Sequence, residues 1–271
     1  MERILKLCDY LKKHEKIAVA FSGGVDSTLL LHAACDALGR KNVLAITAET
    51  TLNSAQDSAD AVRIACDCKV VHNMMRLDPL EIPQVSSNSA LRCYYCKRFL
   101  FENMMKCAHL QGFDVLCDGT NADDVHDYRP GMRALRELKI LSPLKACEIR
   151  KSDAREMLEI LGVSESKKPS SPCLATRIPY NTALTRELLL RVDSAECILK
   201  KAGFAICRVR VHSDMARIEV PLNKTAQLLQ NNDILCAVKD VGFTSVCVDL
   251  EGFKSGSFDK MEGFKSENII L

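Results

Sequence analysis

Long apolar runs and strong charge of one sign are both lacking in this chain. No apolar run approaches the ~20 residues that a spanning helix needs. The opening Met1-Glu-Arg-Ile-Leu-Lys reads as a mixed-charge amphipathic helix, with Ile4, Leu5, Cys8 and Leu11 on one face, and lacks the apolar core of a signal peptide. These absences lead to the expectation of a cytoplasmic protein with no membrane partner. Strong charge of one sign is also missing: the formal net charge is +2, so no strong electrostatic pull toward nucleic acid is expected. With 47% hydrophobic and 27% charged residues over 271 positions, the composition is that of a globular chain with one large domain or two modest ones.

Cysteine, by contrast, is plentiful, at fourteen residues. Without an export signal these are expected as reduced thiols or metal ligands, not a disulfide framework. Cys8, Cys35, Cys107, Cys117, Cys147, Cys197, Cys207, Cys236 and Cys247 fall inside apolar patterns, where a thiol behaves as a small hydrophobe. Cys66-Asp-Cys68 near His72 has metal-ligand residue types, but a spacing unlike the usual clusters.

The most informative segment is Lys16-Ile-Ala-Val-Ala-Phe-Ser-Gly-Gly-Val-Asp-Ser27. A short apolar run, a glycine pair and an apolar helical run read as strand, tight turn and helix N-terminus. Glycine lets the backbone approach an anion, and the free N–H groups of the first helical turn point at it. The segment therefore reads as a phosphate site. No Lys-Ser/Thr pair follows the glycines, so it is not the Walker P-loop. It resembles the PP-loop of ATP pyrophosphatases, which split ATP into AMP and pyrophosphate and use the AMP half to activate a carbonyl oxygen. That resemblance implies ATP with Mg2+, Asp26 at the magnesium, and Ser22, Gly23, Gly24 and Ser27 around the phosphates.

Strands over 17–21, 43–48, 69–73 and 115–117 alternate with helices over 26–38, 54–66, 93–111 and 151–161. This predicts an α/β fold with a doubly wound parallel sheet, whose ligands sit at the carboxyl ends of the strands. Residues 164–179, rich in Ser, Pro and charge, read as a long loop joining two domains. The expected division is a domain over 1–165, an interdomain loop over 166–180, and a smaller α+β domain over 181–271. In the latter, helices over 184–202 and 222–231 accompany strands over 207–212, 216–220 and 244–250. The short copies Glu251-Gly-Phe-Lys-Ser and Glu262-Gly-Phe-Lys-Ser are too brief to be a repeat fold.

Four constellations carry chemistry. In Arg92-Cys93-Tyr-Tyr-Cys96-Lys97, two thiols lie within reach of one metal, and flanking cations favour the thiolates. A redox pair, a zinc site lacking two ligands and an iron–sulfur site using three cysteines all remain open. In Ser171-Pro172-Cys173-Leu-Ala-Thr-Arg177, Pro172 interrupts any helix, so the thiol is presented for use as a nucleophile, a sulfur donor or a ligand. Asp118-Gly-Thr-Asn121 directly follows a strand and suits the orientation of a nucleotide or a substrate hydroxyl. With Asp123, Asp124 and Asp127 it also offers carboxylates to a divalent ion. Strand alternation puts Arg208, Arg210 and His212 on one face, where the arginines make a phosphate fork and Glu219 is able to join them.

Taken in order, Ser22-Gly-Gly-Val-Asp-Ser27, Arg92-Cys-Tyr-Tyr-Cys-Lys97, Asp118-Gly-Thr-Asn-Ala-Asp-Asp124, Asp127-Tyr-Arg-Pro-Gly131, Pro172-Cys-Leu-Ala-Thr-Arg177, Arg208-Val-Arg-Val-His212 and Ala216-Arg-Ile-Glu219 resemble the LarE family. These are PP-loop sulfur transferases of nickel-pincer nucleotide biosynthesis. The resemblance implies an adenine nucleotide alpha hydrolase-like fold and a small nucleotide substrate, pyridinium-3,5-dicarboxylate mononucleotide. ATP adenylates its carboxylates, and sulfur displaces AMP to leave thiocarboxylates. The resemblance further implies that Lys97 and Arg177 steady phosphates and that Arg208 and Arg210 grip the substrate phosphate. Asp124, Arg129, Glu196 and Glu219 lie near the substrate, and the family's form is a homo-oligomer, a hexamer of trimeric rings.

The sulfur source divides the family. In one form the loop cysteine surrenders its sulfur and becomes dehydroalanine. The form with Cys93, Cys96 and Cys173 all present is the one in which three cysteines hold a [4Fe-4S] cluster whose fourth iron carries sulfide. Catalytic turnover, supplied by sulfide or another sulfur donor, is the expectation here. Lys254 stands where the family often has Arg. Competing readings are a tRNA thiolase, an ammonia-using ATP ligase that would not need Cys173, and a nucleotide-binding redox sensor using Cys93 and Cys96.

Overall fold

Alternate residues of β1 (Ile17–Ala20) and β2 (Val43–Glu49) feed two different cores. Ile17, Val19, Val43 and Ala45 enter one, while Ala18, Leu44, Ile46 and Ala48 enter the other. Side chains alternate along a strand, so a sheet that is apolar on both faces must be covered on both. The computed structural model describes residues 2–125 and 130–254. It divides into two units, Met1–Ile82 with Leu91–Ser171, and Pro83–Ala90 with Pro172–Leu271.

In the first unit the order is α1 (Glu2–Leu11), β1, α2 (Val25–Leu38), β2, α3 (Ala55–Cys68) and β3 (Val71–Arg76). After α4 (Pro83–Ser86), which belongs to the second unit, come α5 (Arg92–Leu110), β4 (Leu116–Cys117), α6 (Gly131–Glu137), α7 (Pro143–Ala146) and α8 (Lys151–Ile160). All strand pairs are parallel, in the order β3-β2-β1-β4. One core takes side chains from α1, α2, α3, α7 and α8, and the other from α5 and α6. This is the α/β PP-loop architecture that the sequence predicts. Because β1 has β2 on one side and β4 on the other, the strand order reverses at β1, and the crevice lies beyond the carboxyl ends of β1 and β4.

Several elements differ from expectation. β3 starts at Val71 instead of Lys69, because Lys69 takes the left-handed conformation (φ 55°) that closes α3. On α1 the buried stripe is Leu7 and Leu11 with Ile4 and Cys8 beside them. Leu5 is exposed, since positions 4, 7, 8 and 11 recur at helical spacing and 5 does not. Cys197 and Cys236 are exposed, not core thiols. Cys68 faces His32, with Sγ 3.4 Å from Nε2, while His72 Nε2 meets Thr47 Oγ1, so Cys66, Cys68 and His72 do not converge.

The second unit contains α4, α9 (Arg186–Lys201), β5 (Arg208–His212), β6 (Met215–Glu219), α10 (Leu222–Leu229), α11 (Asn232–Asp240) and β7 (Ser245–Val248). β5 and β6 are antiparallel, and β6 and β7 parallel. α11 is absent from the sequence expectation. It is separated from α10 by Asn231, whose side chain accepts from Ile234 N–H and starts a new helix. Residues 83–90, read as part of the first domain, belong to this unit for a local reason. Buried Asn88 donates from Nδ2 to the carbonyls of Ile178 and Pro179, at 3.2 and 2.8 Å. The change of unit falls at Ser171/Pro172. Among the described residues no helix is long and apolar enough to cross a membrane.

Candidate active site

The chain leaves β1 through Ser22 and turns at Gly23 (φ 66°) into α2. Gly23 is required twice: its φ is left-handed, and a Cβ there would lie 3.0 Å from Ala61 N in α3. Gly24 is the N-cap of α2 and brings no side-chain cap. The first N–H groups of α2, which have no intrahelical partner, therefore remain available at the positive end of the helix. Ser22 Oγ and Ser27 Oγ lie 3.2 Å apart, and Ser27 Oγ donates to Gly24 O at 3.1 Å. The loop is thus braced by the two hydroxyls before any ligand arrives.

Asp26 stands on the first turn of α2. Its Oδ2 accepts from Lys151 Nζ at 2.8 Å, while Oδ1 is buried and has no hydrogen-bond partner among the described residues. A carboxylate oxygen with open lone pairs beside a phosphate-type loop suits a hard cation such as Mg2+. Lys151 opens α8 and was not singled out from the sequence, because a lysine at a helix start gives no signal of what lies across from it.

The carboxyl end of β4 closes on the same place. A Cβ on Gly119 would lie 3.0 Å from Ser27 N and 3.2 Å from Ser27 Cα. These are backbone atoms that cannot swing aside. Gly119→Ala is therefore expected to push β4 off the start of α2, costing about 1–3 kcal/mol and weakening ATP binding. Thermal unfolding and a nucleotide titration on the same sample check both effects. Asp118 accepts from Ser142 Oγ at 2.6 Å and from Thr120 Oγ1, with Lys97 Nζ 4.0 Å from Oδ2. Asn121 N–H donates to Asp124 Oδ2 at 3.0 Å, and Asn121 Oδ1 accepts from Asp123 N–H. Much of the polar capacity expected to orient a ligand here builds the turn itself.

α5 begins at Arg92, so Cys93 and Cys96 sit one turn apart near its N-terminus; Cys93 is exposed and Cys96 half-buried. Lys97 follows, its ammonium 5.8 Å from the Phe101 ring centre. Among the described residues no three His, Cys, Asp or Glu side chains are gathered to hold a metal. Cys93 and Cys96 belong to the first unit and Cys173 to the second.

In the second unit Cys173 is exposed and precedes a single 3-10 turn, Leu174–Arg177. Arg177, expected at a phosphate, is instead 1% exposed. It makes a two-point pair with Glu196, Nε to Oε1 at 2.8 Å and Nη2 to Oε2 at 2.9 Å. Its Nη1 also donates to Pro172 O and Cys173 O, at 2.7 and 3.1 Å. Glu196, expected near substrate, is spent on this pair and on Val209 N–H. The two residues thus pair with each other and, through Arg177, hold the backbone of the Cys173 loop.

Arg208 and Arg210 share a face of β5, as alternation requires, and Glu219 joins them across the ladder. Arg210 Nε donates to Glu219 Oε1 at 3.0 Å and Nη1 to Thr176 O at 2.6 Å. Arg208 lies against the Phe253 ring, 5.2 Å from its centre, and burial together with the Arg177 charge lowers its pKa. Arg217, which the sequence sets beside Glu219 in Arg217-Ile-Glu219, pairs with Glu219 and Asp249. Arg129 and Asp127 lie outside the described residues, as does the second tail copy.

A PP-loop domain model matches residues 1–142. The chain is 35% identical to pyridinium-3,5-bisthiocarboxylic acid mononucleotide synthase of Lactiplantibacillus plantarum, over 91% of this chain and 90% of that one. The chain belongs to the LarE family of PP-loop enzymes. An uncharacterized protein of Synechocystis is 34% identical over 96% of this chain and 97% of its own. One of Methanocaldococcus jannaschii is 31% identical over 94% and 98%. The PP-loop domain of this LarE-family chain implies ATP with Mg2+.

Proposed function

We propose that this enzyme adenylates the carboxylates of pyridinium-3,5-dicarboxylate mononucleotide and converts them to thiocarboxylates for a nickel-pincer nucleotide. The observation that carries the reading is the combination, in one LarE-family chain, of an open helix N-terminus after β1 and an exposed Cys173 on a loop held by buried Arg177. A carboxylate oxygen attacks the α-phosphorus of ATP and pyrophosphate leaves. The N–H groups at the start of α2, with Ser22 and Ser27, take up the negative charge of the departing group. Asp26, held by Lys151, offers Oδ1 to the magnesium ion. Lys97 lies 4.0 Å from Asp118 Oδ2 at the β4 end and is assigned to the phosphates. A sulfur nucleophile then attacks the acyl adenylate carbon and expels AMP, exchanging carboxylate oxygen for sulfur.

In the second unit Arg208, Arg210 and Arg217 gather positive charge against fewer carboxylates, and the substrate phosphate is assigned to this cluster. Cys93, Cys96 and Cys173 are assigned to a [4Fe-4S] cluster. Cys93 and Cys96 fit two of its positions, since side chains three residues apart on a helix are neighbours. A cluster so held has one iron left to present a transferable sulfide. Assembly as a homo-oligomer belongs to the same proposal.

The deciding experiment is iron and acid-labile sulfide after anaerobic reconstitution, wild type beside Cys93→Ala. About four irons per chain in the wild type and loss in the variant is the expected result. No iron in either points to Cys173 as a sacrificial donor, visible by mass as dehydroalanine after one turnover.

A further inference from the structure

The segment 164–171 reads from sequence as the start of a free linker, but the structure ties it to the first unit. Ser164–Lys167 forms a 3-10 turn, and Arg63 pairs with Glu165. Arg155 of α8 donates from Nη2 to Lys168 O at 2.7 Å. The backbone of Lys168 is therefore held before its side chain reaches anything. Its ammonium then makes three contacts: Gly23 O at 3.1 Å, Asp60 Oδ2 at 2.7 Å and Asp57 Oδ1 at 3.3 Å. All three groups are largely buried. Asp57 also accepts from Ser54 Oγ and from Ser171 Oγ, each at 2.7 Å.

An ammonium has three N–H donors, and here each faces a partner. Lys168 is thus committed to the loop's carbonyl and to two carboxylates of α3, leaving no donor for a phosphate. What it does control is a peptide plane. A peptide bond is planar, and those of the described residues include no cis bond, so fixing the Gly23 oxygen aims the Gly24 N–H the opposite way. Gly24 N–H leads the row of donors entering α2. Burial pushes the Asp60 carboxyl up, yet the Lys168 and Gln56 hydrogen bonds and the Lys168 charge bring it below its ordinary value, consistent with a settled ion pair.

We propose that Lys168 is a positioning residue for the phosphate loop: with Asp57 and Asp60 it holds the Gly23 carbonyl so that the loop's N–H donors are set for the pyrophosphate end of ATP. Lys168 and Ser171 place this latch immediately before Cys173 in the chain, so the segment that gauges the loop also leads into the sulfur-bearing turn. The inference rests on the PP-loop reading of Ser22–Ser27.

The test is equilibrium binding of MgATP, magnesium pyrophosphate and AMP to wild type, Lys168→Met and Asp60→Asn, with thermal unfolding of each. Loss of one charge-assisted hydrogen bond in a part-buried place is expected to weaken MgATP and pyrophosphate about 10-fold or more in Lys168→Met. AMP binding should be unchanged, because AMP does not reach the pyrophosphate end. Asp60→Asn leaves the lysine in place and is expected to shift the same two ligands in the same direction, by less. The proposal is overturned if a folded Lys168→Met binds MgATP as the wild type does, or if AMP weakens in parallel. Should Lys168→Met fail to fold, Asp60→Asn decides by the same two criteria. Failure of wild type itself to bind MgATP or pyrophosphate would instead sink the PP-loop reading, and this latch with it.

Discussion

Cys173→Ala is expected to stop thiocarboxylate formation, to below about a thousandth of the wild-type rate, the scale on which loss of a group at the reacting atoms acts. Pyrophosphate release from ATP should persist, because Asp26, Ser22, Ser27 and the start of α2 belong to the first unit and Cys173 to the second. The loop itself should survive the change. Cys173 is exposed, and what holds the turn is its backbone carbonyl, which accepts from Thr176 Oγ1 at 2.8 Å and from Arg177 Nη1 at 3.1 Å. Replacing the thiol leaves both hydrogen bonds in place. Pyrophosphate and thiocarboxylate measured in the same reaction check the result. Full thiocarboxylate yield in Cys173→Ala would mean that sulfur does not pass through this residue.

Arg177→Met is expected to destabilise the protein by about 3–5 kcal/mol, the cost of leaving one member of a buried ion pair uncompensated. Glu196 is 1% exposed, and with Arg177 gone its Oε1 would keep the Val209 N–H but lose the two-point guanidinium partner. The variant also releases the carbonyls of Pro172 and Cys173. Chemical denaturation measures the loss. The double replacement Arg177→Met with Glu196→Leu is expected to recover much of the stability, because removing both charges removes the orphaned one. It should not recover sulfur transfer, since the Cys173 loop has still lost its anchor. That separation tells a positioning role from a merely structural one. If the double variant regained full activity, the Arg177–Glu196 pair would contribute only to folding.

These two experiments bear on residues that the sequence made visible for different reasons than the structure does. The resemblance marks Arg177 and Glu196 for phosphate and substrate, and the structure shows them 1% exposed and paired with each other, with Arg177 on the carbonyls of the Cys173 loop. A sequence pattern marks that a residue type is wanted at a position; it does not tell whether the side chain faces solvent or its own protein. The arginine stripe shows the converse case. Period-two alternation placed Arg208 and Arg210 on one face, but Arg217 joins them only because the antiparallel register sets it opposite Arg210.

The elements of the first unit were legible because strand and helix periods are local properties. Apolar runs at 17–21 and 43–48 demanded a sheet covered on both faces, and the glycine pair after the first run demanded a turn into a helix. The phosphate loop was legible for the same reason, since all of its parts lie within six residues. What the chain alone did not disclose are partners brought from far along it. Lys151 reaches Asp26 across 125 positions, Lys168 reaches Gly23 across 145, and Asn88 reaches Pro179 across 91. No local period records such pairings. The first two exist because the strand order places the ends of β1 and β4 side by side and packs α3 and α8 around them, and the third because 83–90 and 172–179 fold into the same second unit.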